Sequence, residues 1–199
     1  DNNDLTELDG SNGFRLLGDN VNDYSGYSVS TLGDINGDGY DDIIVGKPER
    51  YAETPHAYVY FGKASGYTAD VQVENLNGQD GFALVGTGND HHGFSVNGAG
   101  DVNGDGYDDM LVGAPQVPNI EFSLSATDGP GETWLVYGKK SGYSPNIKLS
   151  SLNDTEGFRI EGIDKKDKAG FSVSTAGDVN GDGYDDIIIG APEAANKKG

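Results

Sequence analysis

Apolar residues along this chain fall in short clusters separated by glycine-rich polar turns. No stretch keeps the 3.6-residue apolar period of an amphipathic helix, so the pattern predicts strands. The clusters recur in a fixed order at a step of roughly 70 residues. GFRLLG (13–18), GFALVG (81–86) and GFRIEG (157–162) match one another, as do GYSVSTLG (26–33), GFSVNGAG (93–100) and GFSVSTAG (170–177). GDINGDGYDDIIVG (33–46), GDVNGDGYDDMLVG (100–113) and GDVNGDGYDDIIIG (177–190) form a third set, and AYVYFGKASGY (57–67) is echoed by TWLVYGKKSGY (133–143). The IIV, MLV and III runs are continuously apolar, which suits strands buried on both faces. In the SVS segments large residues alternate with serine, which suits a strand in a narrow place.

Each repeat therefore reads as four short antiparallel strands, with repeats at approximately 13–80, 81–156 and an incomplete 157–199. Quartets repeated at a fixed step predict an all-β fold, a β-propeller whose blades stack face to face, within a single region 1–199. An open β-solenoid is the structural rival, but its coils are usually much shorter, and a sandwich has no need of the same quartet three times. The segments give eleven strands: three like FRLLG, three like FSVS, three like DDIIVG and two like YVYFG.

The acidic turn carries the candidate chemistry. In the first copy, side-chain oxygens fall at Asp34, Asn36, Asp38 and Asp42, positions 1, 3, 5 and 9 of a loop, with the Tyr40 carbonyl at position 7. The second copy offers Asp101, Asn103, Asp105, the Tyr107 carbonyl and Asp109; the third offers Asp178, Asn180, Asp182, the Tyr184 carbonyl and Asp186. Alternate positions converge when such a turn curls, and hard oxygen donors of high charge select Ca2+, so three Ca2+ sites are expected. The alternative is a solvated Asp/Asn/Gly turn without metal. An EF-hand is excluded because Val45, Val112 and Ile189 stand where its bidentate Glu belongs. Asp41, Asp108 and Asp185 are expected to point outward and are not counted as ligands. Metal would offset part of a formal net charge of -20.

That charge argues against a nucleic-acid partner, since phosphate binding needs a basic face. No apolar run approaches a membrane span, so direct membrane insertion is not expected. Cysteine is absent, which removes thiolate metal sites and disulfides. Glycine, at 32 of 199 residues, supplies the turns of an all-β chain.

G-[YF]-S-V, then D-x-N-x-D-G-Y-x-D, then a strand ending in Gly113-Ala114-Pro115 or Gly190-Ala191-Pro192, resembles the FG-GAP repeat. The first copy departs from it with Gly46-Lys47-Pro48, and Ser25, His92 and Ala169 stand where the family has phenylalanine. The family builds the seven-bladed propeller of integrin α subunits and is abundant in bacterial surface proteins. The resemblance implies that the three loops above hold structural Ca2+ between a blade's first and second strands. It also implies an adhesion or interaction module of a secreted or cell-surface protein, or alternatively an accessory or glycan-binding propeller of an exported enzyme. Propellers close with about 4–8 blades, so three repeats are read as a piece of a longer propeller, or as one completed by a further chain segment or partner chain. A protein or glycan ligand is expected on the loop face opposite the Ca2+ turns, at 47–56 and 115–132 and at the connections 19–26, 89–93 and 164–170. His91 and His92 are read there as exposed polar loop, Trp134 as core, and Lys165, Lys166 and Lys168 as a solvated turn. No nucleophile elbow, phosphate loop or His/carboxylate set stands at recognisable spacing, so the chain itself is not expected to be an enzyme.

Overall fold

The computed structural model describes residues 4–18, 20–21, 23–48, 55–86, 91–116 and 129–194. Among them the helical elements are three single-turn 3-10 segments, Leu5–Glu7, Val73–Asn75 and Leu149–Ser151. The rest of the regular structure is strand. The first complete blade pairs Ser28–Gly33 (β2), Asp42–Gly46 (β3), Pro55–Tyr60 (β4) and Gly81–Val85 (β6) in that spatial order, all antiparallel. The second pairs Ser95–Gly100 (β7), Asp109–Ala114 (β8), Glu132–Val136 (β9) and Gly157–Glu161 (β11) in the same way. Ser172–Gly177 (β12) and Asp186–Gly190 (β13) form the inner half of a third. Arg15–Leu17 (β1) occupies the fourth-strand place ahead of the first blade.

Two strands go beyond the eleven expected. Asp70–Gln72 (β5) and Asn146–Lys148 (β10), in the excursions between third and fourth strands, reach across and pair in parallel with β1 and β6. The first and second repeats thus each add a fifth strand to the outer edge of the blade before them. The edge of a fourth strand is covered by the neighbouring repeat, which is how a propeller protects its outer rim.

In the first two blades the apolar runs are buried because blades stack, whereas in the third Ile187 and Ile189 are half-buried and Ile188 is exposed. Met110, Leu111 and Val112 of β8 are all inaccessible to solvent, although their side chains alternate in direction. One cluster joins Ile44, Val59, Phe82 and Leu84 of the first blade to Val96, Met110, Val112 and Trp134 of the second. Another joins Ala99, Leu111 and Leu135 to Val173, Ile187 and Ile189 of the third. Burying each such side chain fully is worth about 1.5–3 kcal/mol. Aromatic stacking adds to the outer seam: Phe82 lies against Tyr143 with ring centroids 4.6 Å apart, and Phe14 against Tyr67 at 4.7 Å. At the centre β2, β7 and β12 lie side by side, and their small residues allow it. A Cβ on Gly98 would come within 3.0 Å of the Thr31 carbonyl oxygen.

Each inner strand ends in the same irregularity. The register with its partner shifts between Thr31 and Gly33, between Gly98 and Gly100, and between Thr175 and Gly177. A bulge bends the strand, and here it directs the chain into the acidic loop at the same angle three times.

Candidate metal centre

The three acidic loops are wound by their own side chains. Asp34 Oδ1 accepts the Asp38 N–H at 3.0 Å and Asp34 Oδ2 accepts the Gly39 N–H at 2.8 Å. Asn36 Oδ1 accepts the same Asp38 N–H at 2.9 Å, and Asp38 Oδ1 accepts the Tyr40 N–H at 3.0 Å. The second loop repeats this through Asp101, Asn103 and Asp105, and the third through Asp178, Asn180 and Asp182. Two side-chain oxygens, from positions 1 and 3, therefore converge on one amide in every loop. The bend requires glycine at position 6, where Gly39, Gly106 and Gly183 have φ of 90°, 90° and 92°.

The position-9 carboxylates stand apart from the other three. Asp42 is fully buried, and its Oδ2 accepts the Ile35 N–H at 3.0 Å while Oδ1 accepts the Gly62 N–H at 2.8 Å. Asp109 does the same with Val102 and Gly138. Asp186 accepts the Val179 N–H. Asp42 and Asp109 thereby strut their loops against the start of the excursion after the third strand. Burial pushes Asp42 up to about 7; the Gly62 and Ile35 amides oppose this, and repulsion from Asp38 and Asp34 adds to it. Asp109 is likewise pushed up to about 7 by burial, against the Gly138 and Val102 amides, with Asp105 and Asp101 adding repulsion. In the exposed third loop the Gly183 amide, with those of Gly181 and Asp182, holds Asp178 below the usual carboxylate range.

Among the described residues no three Asp, Glu or His side chains are grouped at coordinating distance, and no Lys or Arg is paired with a loop carboxylate. The donors nonetheless fit a hard divalent cation. They are all oxygen, they carry formal charges at positions 1, 5 and 9, and the repulsion among those charges is uncompensated by the protein. Positions 1, 3 and 5 sit at the loop surface, while position 9 is held from below.

Of the position-8 aspartates Asp41 is exposed, as expected, but Asp108 and Asp185 do not point outward. Asp108 Oδ2 accepts the Asp34 N–H at 2.8 Å, and Asp185 Oδ2 accepts the Asp101 N–H at 3.0 Å, each from the loop of the preceding blade. Tyr107 and Tyr184 lie over Gly37 and Gly104 of those same loops, where a Cβ would collide with the rings. The Ile35 carbonyl accepts from the Lys139 N–H and the Tyr143 hydroxyl of the second blade, both at 2.9 Å. Consecutive loops thus interlock. Nothing in a single loop reveals this, but the identical Tyr-Asp pair at positions 7 and 8 of all three copies is a signal for it.

Antiparallel pairing puts the β3–β4 and β6–β7 connections at the other end. Residues 49–54, 87–90 and 117–128 of the expected ligand face lie outside the described residues. What is described there corrects the reading of His91 and His92, which are fully buried with His56 and are not exposed loop. His92 Nε2 meets Glu132 Oε1 at 2.9 Å; that oxygen also accepts from Trp134 Nε1 at 3.1 Å, and Oε2 accepts from Arg159. Burial pushes Glu132 up, but hydrogen bonding to His92 and Trp134 and the charge of Arg159 outweigh it and hold the carboxyl below its usual range. Burial, with His92 adding, brings His91 down to about 4. Blade stacking hides these histidines, which short-range polarity does not register. Trp134 is core, as expected, with its N–H satisfied by Glu132. Of the basic residues in 164–170, Lys168 pairs with Glu193.

Stacked four-stranded antiparallel sheets repeated around an inner row of small-residue strands define an arc of a β-propeller. The FG-GAP repeat model matches residues 25–67, 93–136 and 169–199, more than half of the chain, and the chain belongs to that family. It is 30% identical to integrin alpha-PS2 of Drosophila melanogaster over 188 residues, covering 91% of this chain and 12% of that protein. It is 32% identical to integrin alpha pat-2 of Caenorhabditis elegans over 181 residues, covering 88% and 13%. With phosphatidylinositol-glycan-specific phospholipase D of Dictyostelium discoideum it shares 29% identity over 212 residues, covering 98% and 20%. The chain spans one fifth or less of the length of these relatives. It is an integrin-like FG-GAP propeller module, and among the described residues no helix is long and apolar enough to cross a membrane.

Proposed function

We propose that the chain is a calcium-stabilised interaction module of a secreted or cell-surface protein, and that it has no catalytic activity of its own. One Ca2+ is held in each loop: by Asp34, Asn36, Asp38, the Tyr40 carbonyl and Asp42; by Asp101, Asn103, Asp105, the Tyr107 carbonyl and Asp109; and by Asp178, Asn180, Asp182, the Tyr184 carbonyl and Asp186. The observation that carries this is the threefold winding of the same oxygen donors around carboxylates that the protein leaves unneutralised. The cation supplies that neutralisation. Because the loops interlock through Asp108 and Asp185, ordering one loop supports the next. Extracellular sites of this kind work in the ~10⁻⁴ to 10⁻³ M range, which suits a compartment where calcium is millimolar. Terbium titration tests the sites directly, since Tyr40, Tyr107 and Tyr184 lie within the loops to sensitise its emission. Three equivalents per chain, displaced by calcium, are expected; no sensitised emission at millimolar cation would end the reading.

Adhesion is the reading that the integrin relatives favour, with a protein or glycan ligand on the face opposite the acidic loops. The similarity to a phosphatidylinositol-glycan-specific phospholipase D favours a second reading, an accessory propeller beside a catalytic domain. Binding to immobilised matrix proteins and to a glycan array, each with and without calcium, separates the two. Calcium-dependent retention on matrix protein supports adhesion, and retention on glycans alone supports the accessory role.

A further inference from the structure

We propose that the seam between the first two blades carries an acid-sensitive latch: mild acid protonates His56 and His91, and the blades part at the end opposite the acidic loops while the loop end stays joined. The inference depends on neither the cation sites nor the identity of a ligand. The chain has three histidines and one tryptophan, and all four stand in this seam. His56 lies on β4 of the first blade, and His91 and His92 lead into β7 of the second. All three are 0% exposed. The His56 and His92 rings stand edge to face with centroids 5.6 Å apart. Backbone presses on them: a Cβ on Gly86 would strike the His92 ring, and one on Gly93 the His56 carbonyl. The second seam is built differently. Gly170 lies against the Glu132 carbonyl as Gly93 lies against that of His56, and the places of His56, His91 and His92 are taken there by Glu132, Lys168 and Ala169.

Two features keep a proton off the closed seam. His56 Nδ1 accepts the Gly86 N–H at 3.1 Å, so that nitrogen carries no proton. Gly86 follows β6, where the chain leaves the first blade for the second, and a proton on Nδ1 releases it. The other feature is burial. Among the described residues the charged groups about the cluster are Lys47 and Asp23 from the first blade and Glu132, Arg159 and Glu161 from the second. Lys47, whose amide donates to the His56 carbonyl, holds its Nζ 4.0 Å from Asp23. Arg159 bridges Glu132 and Glu161, and Glu132 also meets His92 and Trp134. Both buried carboxylates thus already face a cation, and a further charge has to be desolvated. Burial, with His92 adding, accordingly brings His91 down to about 4. Opening to water removes that cost. An opened His91 takes its proton at the ordinary 6.5, and the closed one refuses it until about 4. Above 6.5 the closed seam keeps its full stability; across that window the open population rises about tenfold per pH unit of acidification. The sign is opposite to that of Asp42 and Asp109, whose protonation favours the folded chain.

The single tryptophan reports on this seam directly, because its indole N–H donates to Glu132. Its fluorescence, with acrylamide as quencher, is followed in calcium from about pH 7.5 to about pH 5, alongside far-UV circular dichroism. A reversible red shift with stronger quenching is expected in acid, at unchanged circular dichroism. The double variant His56→Asn, His91→Asn is expected to keep its blue emission throughout. An asparagine oxygen can take the Gly86 N–H in place of Nδ1, and asparagine tolerates the φ of 60° at position 91. The histidine ring-proton resonances of the wild type give a second readout that needs no variant. Two of the three are expected to hold their neutral positions until the tryptophan emission moves. A wild type whose emission stays blue, a shift that survives in the double variant, or circular dichroism lost together with the shift would each overturn the proposal. So would His56 and His91 rings that titrate near 6.5 while the tryptophan remains buried.

Discussion

At the scale of single residues, the buried carboxylates of Asp42 and Asp109 set a pH dependence opposite to that of an ordinary salt-bridged aspartate. Their folded-state values, about 7, lie above the value of 3.8 for an unperturbed aspartate. Between those limits the folded chain binds more protons than the unfolded one, so stability falls as pH rises. Without divalent cation, the melting temperature is expected to drop between pH 4.5 and 7.5, with a loss of stability on the order of a few kcal/mol per carboxylate. With calcium bound the carboxylates are already neutralised, and the curve is expected to flatten. Differential scanning calorimetry in EDTA and in calcium makes the comparison; a cation-free melting temperature that climbs with pH would contradict the assignment. The oxygen-bearing positions that wind the loops were legible in the sequence because they follow a spacing rule. The direction of Asp108 and Asp185 was not, since their partners Asp34 and Asp101 are 74 and 84 residues away and belong to another blade. The depth of His91 and His92 was hidden for the same reason. NDHHG reads as a polar loop, and stacking of a second blade against the first is what buries His91 and His92.

At the scale of elements, four strands per blade were visible because their apolar runs repeat. The fifth was invisible because β5 and β10 are three residues long, with only the middle residue partly buried. Three residues carry no periodicity to detect, and their pairing is parallel to a strand of a different repeat. The same logic makes the contacts between blades the sensitive ones. Glu132, on β9, is buried beneath His92, Trp134 and Arg159. Glu132→Ala strands a buried imidazole and an indole N–H together and is expected to cost about 3 kcal/mol. Urea unfolding would report it as a lower midpoint at unchanged slope. Asp108→Ala removes one charged acceptor at a half-buried seam, with an expected cost of about 1.5 kcal/mol. Measured against Asp41→Ala, at the exposed equivalent position, the difference isolates the interlock. Equal effects of the two substitutions would mean that the position-8 aspartate acts only within its own loop. Lys47 shows how a departure from a repeat is absorbed. It stands where the other copies have Ala114 and Ala191, fully buried, with its Nζ 4.0 Å from Asp23 and 5.8 Å from the Tyr58 ring centroid.

At the scale of the whole molecule, stability is a sum of blades and seams, because each blade touches only its neighbours. The first blade contributes to a core cluster with the second and to another with Phe14, Leu16 and Val71 around β1 and β5. The second blade is covered on both faces. Among the described residues the third supplies two strands, and Val179 and Ile188 are exposed. Local opening should follow that gradient. Amide exchange in β12 and β13 is expected to be faster than in β8 or β9 by orders of magnitude, with β3 and β4 close to the protected limit. Because the third loop locks onto the second through Asp185, calcium is expected to slow exchange in β12 as well as in the loops. Asp185→Ala, which removes the acceptor of the Asp101 N–H, should uncouple the two, leaving the third loop able to bind the ion while β12 exchanges as it does in EDTA. Uniform protection across all three blades would show instead that the arc opens as one unit, and would remove the seam as the carrier of order from one loop to the next.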